Sequence, residues 1–346
     1  MAMGRPARLK DVAREAGVSV TTASVALNGL REGVRIGEDT RERVLAAARE
    51  LDYRPNTLAR SLRTQRTATI GFLSDEVTTT PFAVGMLAAA QDEAARRGHL
   101  LFVVNLGPKA PSSLTTRVLD LLAAQQPVGI IHAAMFHQIV DVPPHLPARS
   151  VFLNCRTKRP GYRCIVPDDE QGAYDATREL ITAGHERIAF VDDKFAAPAS
   201  GLRLTGYERA LRDAGIRPRP ELHVTVPPHV RGGREAIGLL DLPSTQRPTA
   251  FFCFNDRLAM GLFQALRARG LHVPQDVSVV GFDDQEFIAS ELDPPLTTMR
   301  LPHAEMGRRA VELLLDADPP NLRRPDDLVE LAPCPLVSRD SVGPPR

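Results

Sequence analysis

Apolar residues Leu9, Val12, Ala13 and Ala16 recur at the spacing of one helix face. Gly17 breaks that rhythm and can take the positive φ of a sharp turn. Ser19 follows as a helix cap, with Ala23, Ala26 and Leu27 on the core side of a second short helix. A third stripe, Val44, Ala48 and Leu51, predicts a helix over residues 40–53, started by Asp39 or Gly37. Two short helices joined by a glycine-containing turn form a helix-turn-helix, whose second helix suits the DNA major groove. A plain helical hairpin has the same pattern, so the rest of the chain has to decide between them.

Residues 29–37 hold three glycines and read as a loop. Pro55 can start a helix but not continue one. The short basic segment after it, 56–66, reads as a hinge or linker that becomes helical only on binding. From Thr67 onward apolar strands alternate with amphipathic helices. Strands are expected at 69–73, 100–105, 128–133, 151–154, 187–191, 250–254 and 277–282. Helices are expected at 83–97, 114–125, 170–183, 202–214, 257–269 and 305–315. This alternation predicts an α/β architecture of doubly wound parallel sheets covered by helices on both faces. The strands are too many for one comfortable sheet, so two lobes splitting near Val166 are expected. Ligands of open parallel sheets bind at the carboxyl ends of strands, which places a cleft between the lobes.

Charge sharpens this division. The 346 residues carry a formal net charge of +1. Residues 1–66 hold 13 Lys and Arg against 8 Asp and Glu, whereas the remainder holds 30 against 34. A basic end on a mildly acidic body suits a protein that approaches phosphates with one module. Cys155, Cys164, Cys253 and Cys334 lack metal-ligand or CxxC spacing and read as buried thiols of a reducing compartment. The N-terminus lacks the apolar core of a signal peptide, and no run reaches the roughly 18 apolar residues of a membrane span. A cytoplasmic protein without a membrane partner is expected.

The motifs LKDVAREAGVS, TRERVLAAARELDYRPN, ARSLRTQRTATIGF, AGHERIAFV, RLTGYERAL, FNDRLAMG, VSVVGFDDQEF and PPLTTMR occur in this order along the chain. In order and spacing the chain resembles the LacI/GalR family of bacterial transcriptional regulators over essentially its whole length. The resemblance implies a helix-turn-helix DNA-binding domain at 1–55, a hinge helix at 56–66 and a periplasmic-binding-protein-like effector and dimerisation domain at 67–346. It places lobe 1 at about 67–166 and 298–327 and lobe 2 at about 167–297 and 328–346, joined by three crossovers. It further implies a homodimer on a pseudo-palindromic double-stranded operator, and a small-molecule effector rather than a cofactor or metal.

By the same resemblance Val20, Thr21 and Val25 face base edges, while Thr22, Ser24 and Asn28 contact phosphates. Ser19 belongs to this set chiefly as the cap. Hydroxyl and amide groups near a helix N-terminus are good phosphate donors, whereas base edges carry the sequence information. Val25 departs from the best-known members, which have an arginine there; valine can touch a thymine methyl but cannot grip guanine. The loop after Asn28 is longer than usual, and Gly37 sits where a serine commonly caps the third helix. Leu62 matches the leucine that wedges into the minor groove and kinks the DNA, and Ala59 is small enough for two hinge helices to pair.

Arg203, Asn255 and Asp283 match polar effector contacts, and Phe82 offers an apolar wall. Arg, Asn and Asp together suit vicinal hydroxyls, so a sugar is expected, with a purine-like ligand as the alternative. Asp256 is expected to cap the helix that follows it. Asp75 and the threonines at 78–80 are further candidates, and His185 reads as structural. The body has no phosphate loop or nucleophile elbow, so an enzyme is not expected. A transport-type sugar-binding protein is the other rival, which the basic N-terminal module argues against.

Overall fold

In a computed structural model of the chain, the described residues are 7–28, 36–53, 67–77, 80, 84–107, 110–159, 161–195, 197–316 and 328–346. The chain divides into two compact units, Met1–Thr67 and Ala68–Arg346.

The first unit contains α1 (Leu9–Glu15), α2 (Val20–Asn28) and α3 (Glu38–Glu50). Val12, Ala13, Ala16, Ala23, Ala26, Val44, Ala47 and Ala48 form its buried centre, so the small residues anticipated on each inner face do meet. Gly17 has φ +64°, which gives the turn between α1 and α2 its sharpness. The Ser19 hydroxyl accepts the Thr22 backbone N–H at 3.0 Å and caps α2. Gly37 is the cap residue of α3.

The second unit is built on two six-stranded sheets. The first runs β11-β5-β4-β3-β1-β2 and is parallel throughout. Its strands are β1 (Thr69–Ser74), β2 (Leu100–Asn105), β3 (Ile130–Val140), β4 (Ser150–Thr157), β5 (Arg163–Pro167) and β11 (Val329–Ala332). Helices α4 (Val84–Arg96), α5 (Ser112–Ala124) and α10 (His303–Asp316) accompany it. The second sheet runs β12-β10-β9-β8-β6-β7 and is parallel except for the short antiparallel β12. Its strands are β6 (Ile188–Asp193), β7 (His223–Val226), β8 (Ala250–Cys253), β9 (Ser278–Asp283), β10 (Thr297–Arg300) and β12 (Leu336–Val337). With it run α6 (Asp169–Thr182), α7 (Pro198–Asp213), α8 (Val230–Glu235) and α9 (Asp256–Ala268). β6 and β8 are buried at every residue, as central parallel strands between helix layers must be.

The lobe boundaries need correcting. The expected return to lobe 1 at 298 falls too early, because β10 hydrogen-bonds to β9 in the second sheet. Conversely, β11 pairs with β5 in the first sheet, not in lobe 2 as expected. Short edge strands have too few residues for their hydrophobic pattern to name their sheet; backbone pairing decides it.

Close helix packing prepares the cleft. A Cβ at Gly206 of α7 would collide with the Glu170 carbonyl oxygen of α6. Glycine lets α7 lie directly against α6, which brings Arg203 to Asp169.

Candidate functional site

A cavity of about 360 Å³ lies between the carboxyl ends of the two sheets. The first sheet contributes Met135, Phe136, His137, Asn154 and Pro167; the second lobe contributes Asp169, Asp193, Phe195, Arg203, Phe254, Asn255, Arg257 and Asp283. Three of the four expected effector residues therefore meet here. The fourth, Phe82, lies outside the described residues.

Arg203 is buried, and much of its guanidinium is already engaged. Nε and Nη2 both donate to Asp169 Oδ1, at 2.9 and 2.8 Å, and Nη1 donates to the Phe254 carbonyl. Its guanidinium carbon stands 3.6 Å from the centre of the Phe282 ring and 4.4 Å from that of Phe254. Burial alone would push the Asp169 carboxyl up, but Arg203 and His137 outweigh it and hold it below the usual carboxylate range. His137 Nδ1 lies 2.8 Å from Asp169 Oδ2, so this carboxylate ties β3 of the first sheet to α7 of the second lobe.

Asp283 ends β9 with φ +113°, a backbone region that strains a non-glycine residue and is typical of functional positions. Burial pushes its carboxyl up to about 6, opposed by Arg203 and a hydrogen bond from Gln285 Nε2 at 2.6 Å. Burial likewise raises Asp193 at the end of β6, two strands away.

The capping expectation is reversed. Asn255, not Asp256, caps α9: its Oδ1 accepts the Leu258 N–H at 2.9 Å, and its Nδ2 donates to the Pro228 carbonyl at 3.2 Å. Asp256 is fully buried and accepts from the Gln285 N–H at 2.7 Å and the Thr298 hydroxyl at 2.6 Å. Burial and the charge of Asp283 raise its carboxyl well above the usual range. Asn255 still lines the cleft, but both ends of its amide serve the scaffold. The physical reason is position: the residue whose C=O opens the helix is the cap, and that falls one residue earlier.

Sequence reading passed over Asp169, His137, Asn154, Phe136 and Phe195. Phe195 is exposed at the cleft and provides apolar surface in a chain without tryptophan. Asp75 acts behind the cleft instead of within it. Its Oδ1 accepts the Met135 N–H at 3.3 Å, and its Oδ2 accepts Gln138 Nε2 at 3.0 Å. His185 is structural as expected, bridging Thr249 Oγ1 at 2.9 Å and the Gly343 carbonyl at 2.8 Å.

In the helical unit, Val20 is 49 % exposed and Thr21 is exposed at the start of α2. The Thr22 hydroxyl lies 2.8 Å from that of Ser19. Ser24 is half-buried. Val25, matched to a base-facing position, is 8 % exposed, although it stands outside the buried three-helix cluster. An apolar side chain gains by being covered, which an arginine at the same place would resist. The Asn28 side chain, Ala59 and Leu62 lie outside the described residues.

Comparison with known proteins agrees with this two-part construction. Residues 8–56 match the bacterial regulatory proteins of the lacI family, and residues 177–342 match a periplasmic binding protein-like domain. The sucrose operon repressor of Shigella flexneri is 33% identical over 352 residues, covering 97% of this chain and 99% of that protein. The HTH-type transcriptional repressor PurR of Aliivibrio fischeri is 32% identical over 344 residues, covering 97% and 98%. The lac repressor dimer bound to operator and the anti-inducer ONPF matches with a TM-score of 0.70 at 26% identity over 98% of this chain and 100% of that one, and the lac repressor bound to ONPG with a TM-score of 0.71 at 27% identity over 97% and 100%. The chain belongs to the LacI family: it is a DNA-binding transcriptional regulator with a periplasmic-binding-protein-like body.

Proposed function

We propose that the protein is a cytoplasmic repressor that binds a pseudo-palindromic operator as a homodimer and is controlled by a sugar in the cleft. One observation carries this reading: a helix-turn-helix with an exposed α2 start shares a chain with a largely apolar, aromatic-edged cavity that holds Asp169, Arg203 and Asp283 between the two sheets. Val20, Thr21 and Val25 read bases, with Thr22, Ser24 and Asn28 on phosphates and Ser19 as cap. Ala59 and Leu62 form the hinge contact in the minor groove. Arg203 and Asp283 face the effector, while Asn255 shapes the wall beside it and Phe82 adds apolar surface.

An effector that prefers one arrangement of the lobes shifts the population toward it, and the hinges transmit the shift to DNA affinity. The dimer is supported by β2, an edge strand with Leu100, Phe102 and Val103 exposed, a row of apolar side chains that needs cover. The sugar reading is supported by the relative named for the sucrose operon and by the hydrogen-bonding groups of the cleft. Binding to the DNA upstream of its own reading frame, followed across salt concentrations, tests the DNA-binding half. Affinity that falls steeply with salt, and a protected two-fold site, are expected. Binding indifferent to both salt and sequence would contradict it.

A further inference from the structure

We infer that α2 reads its half of the operator through thymine 5-methyl groups, contacted by Val20 and by the methyl of Thr21. The inference rests on α2 lying in the major groove and names the base chemistry that it selects there.

The make-up of α2 is the first observation. Val20–Asn28 reads VTTASVALN and holds no lysine, arginine, aspartate, glutamate or glutamine. Guanine is gripped by a bidentate arginine or lysine on its O6 and N7, and cytosine by an acidic acceptor on its amino group. α2 carries neither. Adenine is gripped by a bidentate amide. The one amide here, Asn28, belongs to the last residue of the helix, whereas the first residues of such a helix meet the base edges. A threonine hydroxyl both donates and accepts, so it separates one base from another poorly.

Exposure points the same way. Among the described residues of α2, the exposed side chains are those of Val20 and Thr21, and Val20 is 49 % exposed. Ala23 and Ala26 of the same helix enter the buried three-helix cluster, and Val20 stands outside it. Val20 has no part in capping either. The Ser19 hydroxyl performs that task, accepting the Thr22 N–H at 3.0 Å and lying 2.8 Å from the Thr22 hydroxyl. An apolar side chain held in water at the start of α2 gains when something apolar covers it. The one methyl group on a base edge in the major groove is that of thymine.

The charge that attracts DNA lies on the flanking elements. Arg8, Lys10 and Arg14 at α1, and Arg41, Arg43 and Arg49 in α3, are exposed. Cations of this kind supply the part of affinity that falls with salt and ignores sequence. Between them in the chain, α2 supplies contact without charge.

The test uses the full-length protein and the element it protects upstream of its own reading frame. Each thymine of that element is replaced in turn by deoxyuridine, which removes the methyl and keeps every hydrogen-bonding group. Binding is read by fluorescence anisotropy at fixed salt. At one thymine or more in each half-site the loss should weaken binding about fourfold per methyl, hence on the order of tenfold when both half-sites are altered. At the same positions 5-methylcytosine, which carries the same methyl, should bind more tightly than cytosine. The double variant Val20→Ala, Thr21→Ser should lose the deoxyuridine penalty and keep its slope of affinity against salt, because these methyls touch no phosphate. Specific binding that tolerates deoxyuridine at every position overturns the inference and leaves the operator reading intact. A penalty that persists in full in the double variant also overturns it. Failure to protect any element overturns the operator reading together with this inference.

Discussion

Arg203 of α7 and Asp169 of α6 form a buried ion pair at 2.8 Å, and the same carboxylate holds His137 of the first sheet. One carboxylate thus links the two lobes at the floor of the cleft. Taking two charges out of water is expensive, and the pair repays that cost only while both members are present. Asp169→Ala leaves Arg203 buried with a carbonyl, two aromatic rings and only the more distant Asp283 carboxylate, 4.0 Å away. It should cost about 3–5 kcal/mol, read from denaturant unfolding of the ligand-free protein. A loss below about 1 kcal/mol would show that water replaces the partner without penalty.

Asp283 makes stability depend on pH. Its folded carboxyl titrates at about 6, above the ordinary value of 3.8. Between these values the native state keeps a proton that the unfolded chain has lost, so this contribution is present at low pH and is lost as pH rises through 6. Asp283→Asn lacks the titration. The stability of the variant relative to wild type should therefore increase by on the order of 2 kcal/mol between about pH 4 and pH 7. Denaturation curves at unit intervals of pH check it; a pH-independent difference would refute the assignment.

At the DNA face the proposed base contact of Val25 can be tested directly. Val25→Arg sends a guanidinium outward from a position that valine keeps covered. A binding-site selection with this variant should gain guanine at one position in each half-site, where wild type discriminates weakly. Unchanged preferences throughout would remove Val25 from the base-facing set.

The apolar edge at β2 gives a separate handle. The double variant Leu100→Glu, Phe102→Glu places charge where side chains 71 % and 47 % exposed in the single chain await cover. Sedimentation should show half the wild-type mass, with sugar binding retained and operator binding largely lost. A variant that keeps its mass would place the dimer contact elsewhere.

Much of the fold was legible because periodicity is local. The helix-turn-helix follows from small apolar residues at helical spacing and one glycine with positive φ. β1, β6, β8 and β9 follow from continuous apolar runs flanked by amphipathic helices. The short strands β5, β7 and β10–β12 did not, since a few residues fit a loop equally well. The cleft was half legible. Arg203 and Asp283 came from the motif match, but the partners that define their state are remote: Asp169 is 34 residues from Arg203 and 32 from His137. The register break between β3 and β4, which brings His137 and Asn154 to the cavity, leaves no mark in composition. Asn255 and Asp256 are adjacent and both suit a cap, so only backbone geometry separates them.

The most direct measurement of the central claim is selection of genomic fragments by the full-length protein, with and without a panel of sugars and purines. The account predicts a small set of fragments sharing a two-fold symmetric element, whose retention changes with one sugar. That response should disappear in the Asp283→Asn variant while the element stays the same. Recovery of fragments without a shared element, or of an element indifferent to every sugar and purine, would contradict a DNA-binding regulator governed from this cleft.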